Sequence, residues 1–94
     1  MAKFMVVHRD PNILWSKVEE NWVKLAKIET ARWIRTYYNK EEGMRYCIWF
    51  AQSGEELSKI FFDLNISFES IIEVEETVPD IWGKKYPLPN AYPF

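Results

Sequence analysis

The chain has 94 residues, of which 48% are hydrophobic and 28% are charged, and its formal net charge at pH 7 is −2. This length allows one domain with one core and excludes a second, and the composition excludes disorder for most of the chain. Acidic and basic residues are interspersed without a basic stripe, so nucleic acid is not an expected partner.

The cysteine content and the N-terminus bear on the compartment. Cys47 has no second cysteine with which to form an internal disulfide, and this fits a reducing environment. The apolar residues 4–7 are followed at once by His8 and Arg9, so the run is too short for a signal peptide or a membrane span. The sequence therefore predicts a cytoplasmic protein without a membrane partner.

The first two predicted elements are a short strand and an amphipathic helix. Residues 3–8 contain two valines and end before a proline, which is typical of a strand. Residues 12–28 carry apolar side chains at steps of three and four, which predicts helix one. Two starts fit this helix: Asn12 as the N-cap, or Ser16 with Glu19 as a capping box.

A β-hairpin follows helix one. Residues 31–38 and 44–51 are rich in aromatic and β-branched side chains, which favour strands. Between them, residues 39–43 contain the asparagine and glycine that turns require. These segments are predicted to form strands two and three.

A second helix and a last strand complete the predicted domain. Ser53 and Glu56 form a capping box in front of helix two, and Asn65 suits the left-handed residue after its end. Residues 71–78 alternate imperfectly between apolar and acidic side chains, as an edge strand does. They are predicted to form strand four.

The order βαββαβ predicts an α+β fold of the ferredoxin-like type, with a four-stranded antiparallel sheet and two helices on one face. Both faces of the strands are apolar: on strand three, Met44, Tyr46, Ile48 and Phe50 alternate with Cys47, Trp49 and Ala51. The face without helices would be an unusually large exposed apolar surface. We therefore expect a homodimer of the dimeric α+β barrel type, with the two sheets face to face.

The C-terminal residues differ in character from the domain at 1–78. Residues 79–94 contain four prolines, which forbid regular structure, together with several large apolar side chains. The apolar residues are Ile81, Trp82, Tyr86, Leu88, Tyr92 and Phe94. This composition predicts an extended arm that packs either on its own domain or on a partner chain, and we favour the partner.

Several segments together resemble a known family. They are Phe-Met-Val-Val-His at 4–8, the stretch from Trp to Gly at 33–43, Arg-Tyr-Cys-Ile-Trp-Phe-Ala at 45–51 and Ile-Ile-Glu-Val at 71–74. The chain resembles, over about residues 3 to 78, a bacterial domain-of-unknown-function family of short ferredoxin-like proteins that includes a nickel-responsive protein. The resemblance implies a ferredoxin-like fold, frequent dimerisation and, for some members, binding of nickel or another transition metal.

His8 is the candidate metal ligand. His8 is the only histidine, and we expect it at the end of strand one, on the face of the dimer cavity, as a metal ligand or general base. The alternative is a strand-end histidine bonded to backbone. Cys47 is expected on the opposite face, among the helices, as a buried inert thiol. One histidine and a distant cysteine supply too few ligands for a transition metal.

The hairpin supplies the candidate ligand-binding residues. Arg35, Tyr38 and Tyr46 suggest a cationic and aromatic pocket for a small anionic or aromatic ligand, and the alternative is surface arginines stacked on tyrosines. No catalytic residue is identified, because the chain offers neither a Ser/His/Asp set nor a glycine-rich phosphate loop.

Three functions remain open at this point. The first is a non-catalytic homodimer that binds a small ligand, or a divalent transition metal such as nickel, in the cavity between the sheets. The second is a cofactor-free oxygenase or isomerase of the dimeric α+β barrel type, an analogy that rests on the fold alone. The third is a protein-interaction module that docks through the aromatic arm.

Overall fold

The structure is a computed structural model that describes residues 1–77, and the predicted arm at 79–94 lies outside the described residues. Six elements follow in the predicted order, which confirms the α+β, ferredoxin-like fold. They are β1 (Ala2–Arg9), α1 (Trp15–Ala26), β2 (Arg32–Asn39), β3 (Met44–Ala51), α2 (Gly54–Asp63) and β4 (Ser70–Glu73).

The four strands form one antiparallel sheet in the order β2-β3-β1-β4. Each helix therefore connects two strands that are separated by a third, because β3 lies between β1 and β2, and β1 lies between β3 and β4. The register pairs Val6 with Cys47 and His8 with Arg45 across the central strands. Paired residues share a face of the sheet, so these four side chains lie on the same side.

One face of the sheet carries the core. Its buried side chains come from β1 and β3 and pack with apolar residues of both helices. The core contains Phe4, Val6, Cys47, Trp49 and Ala51 of the sheet, with Leu25 of α1 and Leu57 and Phe61 of α2. The Phe61 ring meets the Trp49 ring edge-on, with the centroids 5.7 Å apart. Burial of these large side chains is the main stabilising contribution to the fold.

The opposite side of the sheet carries no helix, and we call it the open face. Its side chains include Lys3, Met5 and Val7 of β1, Arg32, Arg35 and Tyr37 of β2, Tyr46, Ile48 and Phe50 of β3, and Ser70 and Ile72 of β4. Several of them are large and exposed, including Tyr37 at 57% and Ile72 at 50% of their full accessible surface. The prediction that both faces of β1 and β3 are largely apolar is therefore confirmed, whereas the pairing of two copies stays a prediction.

Two predicted boundaries are wrong. The N-cap of α1 is Leu14, which makes no side-chain capping bond, so neither Asn12 nor Ser16 opens this helix. Strand β4 ends at Glu73, earlier than the predicted residue 78.

The predicted boundaries of α2 are confirmed. The Ser53 hydroxyl accepts a hydrogen bond from the Glu56 backbone N–H at 3.1 Å, as an N-cap does. Asn65, just past the end of the helix, has a φ of 57°. This is the left-handed conformation that asparagine tolerates better than most residues.

Gly43 closes the hairpin between β2 and β3. Its φ is 69°, and a Cβ atom built on it would lie 2.5 Å from the Pro11 Cα atom and 2.6 Å from the Asp10 carbonyl oxygen. The Asp10 backbone N–H donates to the Gly43 carbonyl at 2.9 Å. Only glycine fits this approach of the hairpin to the end of β1.

Within residues 1–77, neither helix has the length and apolar content needed to cross a membrane.

Candidate functional site

A groove of about 470 Å³ lies on the open face of the sheet. Its apolar side chains come from β1, β2 and β3 and from the segment after β4. Its polar side chains include both basic and acidic residues. The apolar side chains are Met5, Ile34, Tyr37, Ile48 and Val74, and the polar ones are Lys3, Arg35, Glu75, Glu76 and Thr77. A concave, mostly apolar site with a few polar groups is typical of small-molecule binding.

The wall of the groove is formed by residues 74–77, which follow β4. The Val74 backbone N–H donates to the Lys3 carbonyl at 2.9 Å, which keeps the chain at the edge of β1. Two residues later, Glu76 accepts a hydrogen bond from Lys3 Nζ at 2.8 Å. Because Glu76 and Thr77 also line the groove together with Arg35 and Tyr37 of β2, this segment runs across the open face towards the far edge strand.

A β-bulge shapes the opposite wall. The register of β2 against β3 passes from Trp33 paired with Trp49 to Arg35 paired with Ile48, so Ile34 has no partner of its own. The Ile34 side chain lines the groove. Bulges are common where a sheet must redirect a side chain.

Arg35 is the charged residue of the groove that is best placed for a ligand. Lys3 is already bonded to Glu76, whereas no ion pair within residues 1–77 includes Arg35. The pKa of the Arg35 guanidinium is raised, chiefly by its polar interaction with the neighbouring Tyr37 side chain. The guanidinium therefore stays charged and lies beside an aromatic ring, an arrangement that suits a planar anionic group.

Glu76 is the counterpart charge on the other wall. Its hydrogen bond and ion pair with Lys3 lower the pKa of the Glu76 carboxyl. The carboxylate is therefore ionised at neutral pH and holds Lys3 in place. Among the described residues that line the groove there is no histidine, cysteine or serine.

The predicted ligand-binding residues do not all lie in this groove. Arg35 lines it, and Tyr46 lies on the same open face, paired with Tyr37 and partly exposed. Tyr38 lies on the opposite face, which corrects the prediction that it shares a pocket with Arg35 and Tyr46. A residue three positions after Arg35 in a regular strand faces the other way. By the same alternation Tyr37, two positions after Arg35, shares its face and lines the groove.

Tyr38 is part of an aromatic cluster on the helix side of the sheet. Its ring lies 5.0 Å from the Trp15 ring and 5.6 Å from the Trp22 ring of α1, measured between centroids. The Lys40 ammonium lies 4.7 Å from the centroid of Trp15. The rings are in mutual contact, so this cluster attaches α1 to the edge strand β2.

His8 lies on the helix side of the sheet, so the prediction that it faces the dimer cavity is wrong. It is fully buried, at 0% exposure, and its ring meets the Phe61 ring of α2 edge-on at 5.3 Å. Nδ1 lies 2.7 Å from the Ser67 carbonyl oxygen, and because a carbonyl can only accept, Nδ1 carries the proton. His8 and Cys47 share a face because the register pairs Val6 with Cys47, a fact that sequence alternation within one strand cannot supply.

A small polar network surrounds His8 at this end of the sheet. Arg45, 4% exposed, donates from Nη2 to the Asp10 carboxylate at 3.1 Å, and the Ser67 hydroxyl lies 3.3 Å from the other Asp10 oxygen. His8 Nε2 and Arg45 Nη1 are buried without a hydrogen-bond partner among the described residues. Burial lowers the pKa of His8, and nearby Arg45 lowers it further, against opposing effects of Ser67 and Asp10. His8 is therefore a neutral imidazole inside the protein.

The described residues do not fit a nickel site. No group of three or more His, Cys, Asp or Glu side chains that could hold a metal ion occurs within residues 1–77. Cys47 is buried as predicted, its pKa is raised by burial, and its sulfur accepts a hydrogen bond from the Thr36 hydroxyl at 3.2 Å. A protonated thiol and an enclosed imidazole are poor ligands without further donors, so His8 as a metal ligand stays a prediction without geometric support.

Comparisons with known proteins agree with this fold. The profile of a family described as nickel responsive protein SCO4226-like matches residues 4–74. The crystal structure of SCO4226 from Streptomyces coelicolor A3(2) is similar to this structure, with a TM-score of 0.68 at 21% sequence identity, and the match covers 82% of this chain and 100% of that one. No curated protein gives a significant match. The matched segment spans most of the described residues, and the chain belongs to the SCO4226-like family of nickel-responsive proteins.

Proposed function

We propose that this protein is a non-catalytic homodimer that binds a small, largely apolar anion in the groove of its open face. The single observation that carries the proposal is the composition of the groove, an apolar surface with the Arg35 guanidinium and the Tyr37 ring at one side. A suitable ligand has a flat hydrocarbon part and one carboxylate or sulfonate. The hydrocarbon part would be buried against Met5 and Ile48, and the anionic group would pair with Arg35.

The pairing of two copies is supported by the rest of the open face. Exposed Tyr37, Tyr46, Phe50 and Ile72 form an apolar surface of the kind that monomeric proteins seldom leave in contact with water. A two-fold axis would bring the same residues of a second copy against them, and stable interfaces of this type bury roughly 800 Å² on each partner. In such a dimer the groove becomes a cavity between two sheets, sheltered from solvent.

Binding of the fluorescent dye anilinonaphthalene sulfonate tests the proposal, because this molecule combines fused rings with one anionic group. The wild-type protein should bind the dye with enhanced emission. Arg35→Gln should weaken binding at least about tenfold, because it removes a charge-assisted hydrogen bond. Lys59→Gln on α2 removes a charge of the same sign from the helix side and should leave the affinity unchanged.

A second control separates the groove from other apolar surface. Phe62 of α2 is 83% exposed and is the most exposed phenylalanine among the described residues. Phe62→Ser should therefore leave dye binding intact. Unchanged binding in Arg35→Gln, or loss of binding in Phe62→Ser, would show that the dye binds elsewhere and would refute the proposal.

Only the description of the family suggests nickel as a ligand of this protein. Native mass spectrometry of the protein with Ni²⁺ is the direct measurement, compared between the wild type and His8→Asn. Because His8 is enclosed and no three-ligand group accompanies it in the described residues, we expect no nickel binding that depends on His8. Stoichiometric binding that disappears in His8→Asn would establish His8 as a ligand and make the polar end of the sheet the metal site.

A further inference from the structure

The Lys3 ammonium has a defined position on the open face. It donates to the Glu76 carboxylate at 2.8 Å and lies 5.4 Å from the centroid of the ring of Phe50, the residue paired with Lys3 on β3. The Lys3 side chain is 24% exposed, against 52% for Glu76. These two contacts hold the ammonium beside the groove that Lys3 lines.

The register of β4 explains why Glu76 meets Lys3. Strand β4 pairs Ile72 with Met5, and the Val74 backbone N–H donates to the Lys3 carbonyl, so the same register continues for one residue beyond the strand. Alternation places the side chains at positions 72, 74 and 76 on the open face, and the acidic residue at position 75 is directed away from Lys3. The bond between Glu76 and Lys3 agrees with this placement.

The ion pair between Lys3 and Glu76 leaves Arg35 as the other cation of the groove. No ion pair within residues 1–77 includes Arg35. Glu76 acts on it at longer range: the Glu76 charge raises the pKa of the Arg35 guanidinium, after the larger effect of Tyr37. In return, Arg35 lowers the pKa of the Glu76 carboxyl, after the larger effect of Lys3. The Glu76 carboxylate is thus bonded to one cation and lies within electrostatic range of the other.

An anionic ligand would meet these two cations in different states. Its first negative charge pairs with Arg35, for which no acidic group of residues 1–77 competes at ion-pair distance. A second negative charge would have to pair with the Lys3 ammonium, which Glu76 already neutralises, and the Glu76 carboxylate would repel it. Binding of one negative charge is therefore favourable, whereas binding of a second is opposed.

We propose that Glu76 is a specificity-determining residue of the groove and restricts its ligand to a single negative charge. The inference rests on the proposed function and narrows the ligand class to monoanions such as carboxylates, as opposed to phosphate monoesters with two charges. Without the Glu76 carboxylate, the Lys3 ammonium becomes a second cation for the ligand. The same groove then accepts a dianion.

Two probes with the same ring system and different charge test this role. Naphthalene-2-carboxylate carries one negative charge, and 2-naphthyl phosphate carries close to two at about pH 8, because the second pKa of a phosphate monoester is about 6. Calorimetry at fixed ionic strength gives the dissociation constant of each probe for the full-length wild type and its variants. The wild type should bind the carboxylate more tightly than the phosphate.

Three variants separate the effect of Glu76 from a general change of charge. Glu76→Gln should shift the ratio of the two dissociation constants at least about threefold towards the phosphate. Adding Lys3→Gln to Glu76→Gln should cancel the shift, because it removes the cation that the first change released. The matched control is Glu73→Gln, which removes a carboxylate of β4 from the side opposite the groove, since Glu73 pairs with the core residue Phe4. It should leave the ratio unchanged.

The outcomes separate this inference from the proposed function. A wild type that prefers the phosphate, equal ratios in Glu76→Gln and Glu73→Gln, or a shift that persists without Lys3 would each overturn the role of Glu76. Each of these results leaves a groove that binds anions through Arg35 standing. If the carboxylate probe does not bind, or binds equally well to Arg35→Gln, the proposed function fails and this inference fails with it.

Discussion

Replacing His8 by asparagine should remove one titration from the stability of this protein. His8 is the only histidine in the chain, and it is buried as a neutral ring whose pKa is lowered by burial. Asparagine keeps an N–H that can donate to the Ser67 carbonyl, the bond that His8 Nδ1 makes at 2.7 Å. The asparagine side chain does not titrate, so the wild type and His8→Asn differ in proton binding only at position 8.

The sign and the size of the effect follow from linkage. The unfolded chain protonates His8 near its ordinary pKa of about 6.5, whereas the folded protein resists protonation until a lower pH. Below about pH 6.5 the unfolded state therefore binds more protons, and stability falls on acidification until the folded pKa is reached. The slope for one proton is at most about 1.4 kcal/mol per pH unit. Above that pH range His8 is neutral in both the folded and the unfolded state, so its contribution to the free energy of unfolding no longer changes with pH.

Urea denaturation of the wild type and His8→Asn between pH 5 and 8 measures the effect, because carboxylate titrations common to both cancel in the difference. We expect the wild type to lose its stability advantage as the pH falls below about 6.5. A difference that is flat across this range, or that grows on acidification, would refute the assignment of a buried neutral imidazole. The histidine Cε1–H resonance provides the folded pKa directly.

The remaining predictions concern the backbone and the thiol. Gly43→Ala should destabilise the domain by at least about 2 kcal/mol in urea, because it combines a left-handed φ with a clash against the Pro11 backbone; wild-type stability would disprove that clash. Ser53→Ala should cost about 1 kcal/mol by loss of the α2 cap, whereas Ser16→Ala, which removes no cap, should stay within about 0.5 kcal/mol; equal effects would contradict the capping assignment. Cys47 should react with a disulfide reagent only as fast as the protein opens, and rapid reaction of the native protein would show that the thiol is accessible.

The fold was predictable because its signals are local. The step of three and four in α1, the Ser53 capping box and the turn before Gly43 each depend on side chains within one segment. Such signals specify element type and order, and the order βαββαβ leaves few topologies open. The start of α1 was less predictable because two capping patterns competed, and in the structure neither is used.

The site was less predictable because it depends on pairing between distant segments. Which face His8 occupies follows from the register of β1 against β3, and a register is a relation between strands rather than a property of one. The wall of the groove adds a second long-range relation, since Glu76 meets Lys3 from the other end of the domain. Arg35 was predictable from its place in the hairpin beside tyrosines, and alternation along β2 separates Tyr37, on the same face as Arg35, from Tyr38 on the other.

The bulge at Ile34 allows a one-residue change of chain length that the rest of the sheet does not tolerate. Because Ile34 has no partner on β3, removing it would leave Trp33 opposite Trp49 and Arg35 opposite Ile48, with no side chain moved to the wrong face. A deletion elsewhere in β2 would shift the register of part of the strand by one residue, so that its side chains would face the opposite side of the sheet. Chain length can therefore vary by one residue here while the sheet is conserved, and each such change widens or narrows the site that Ile34 lines.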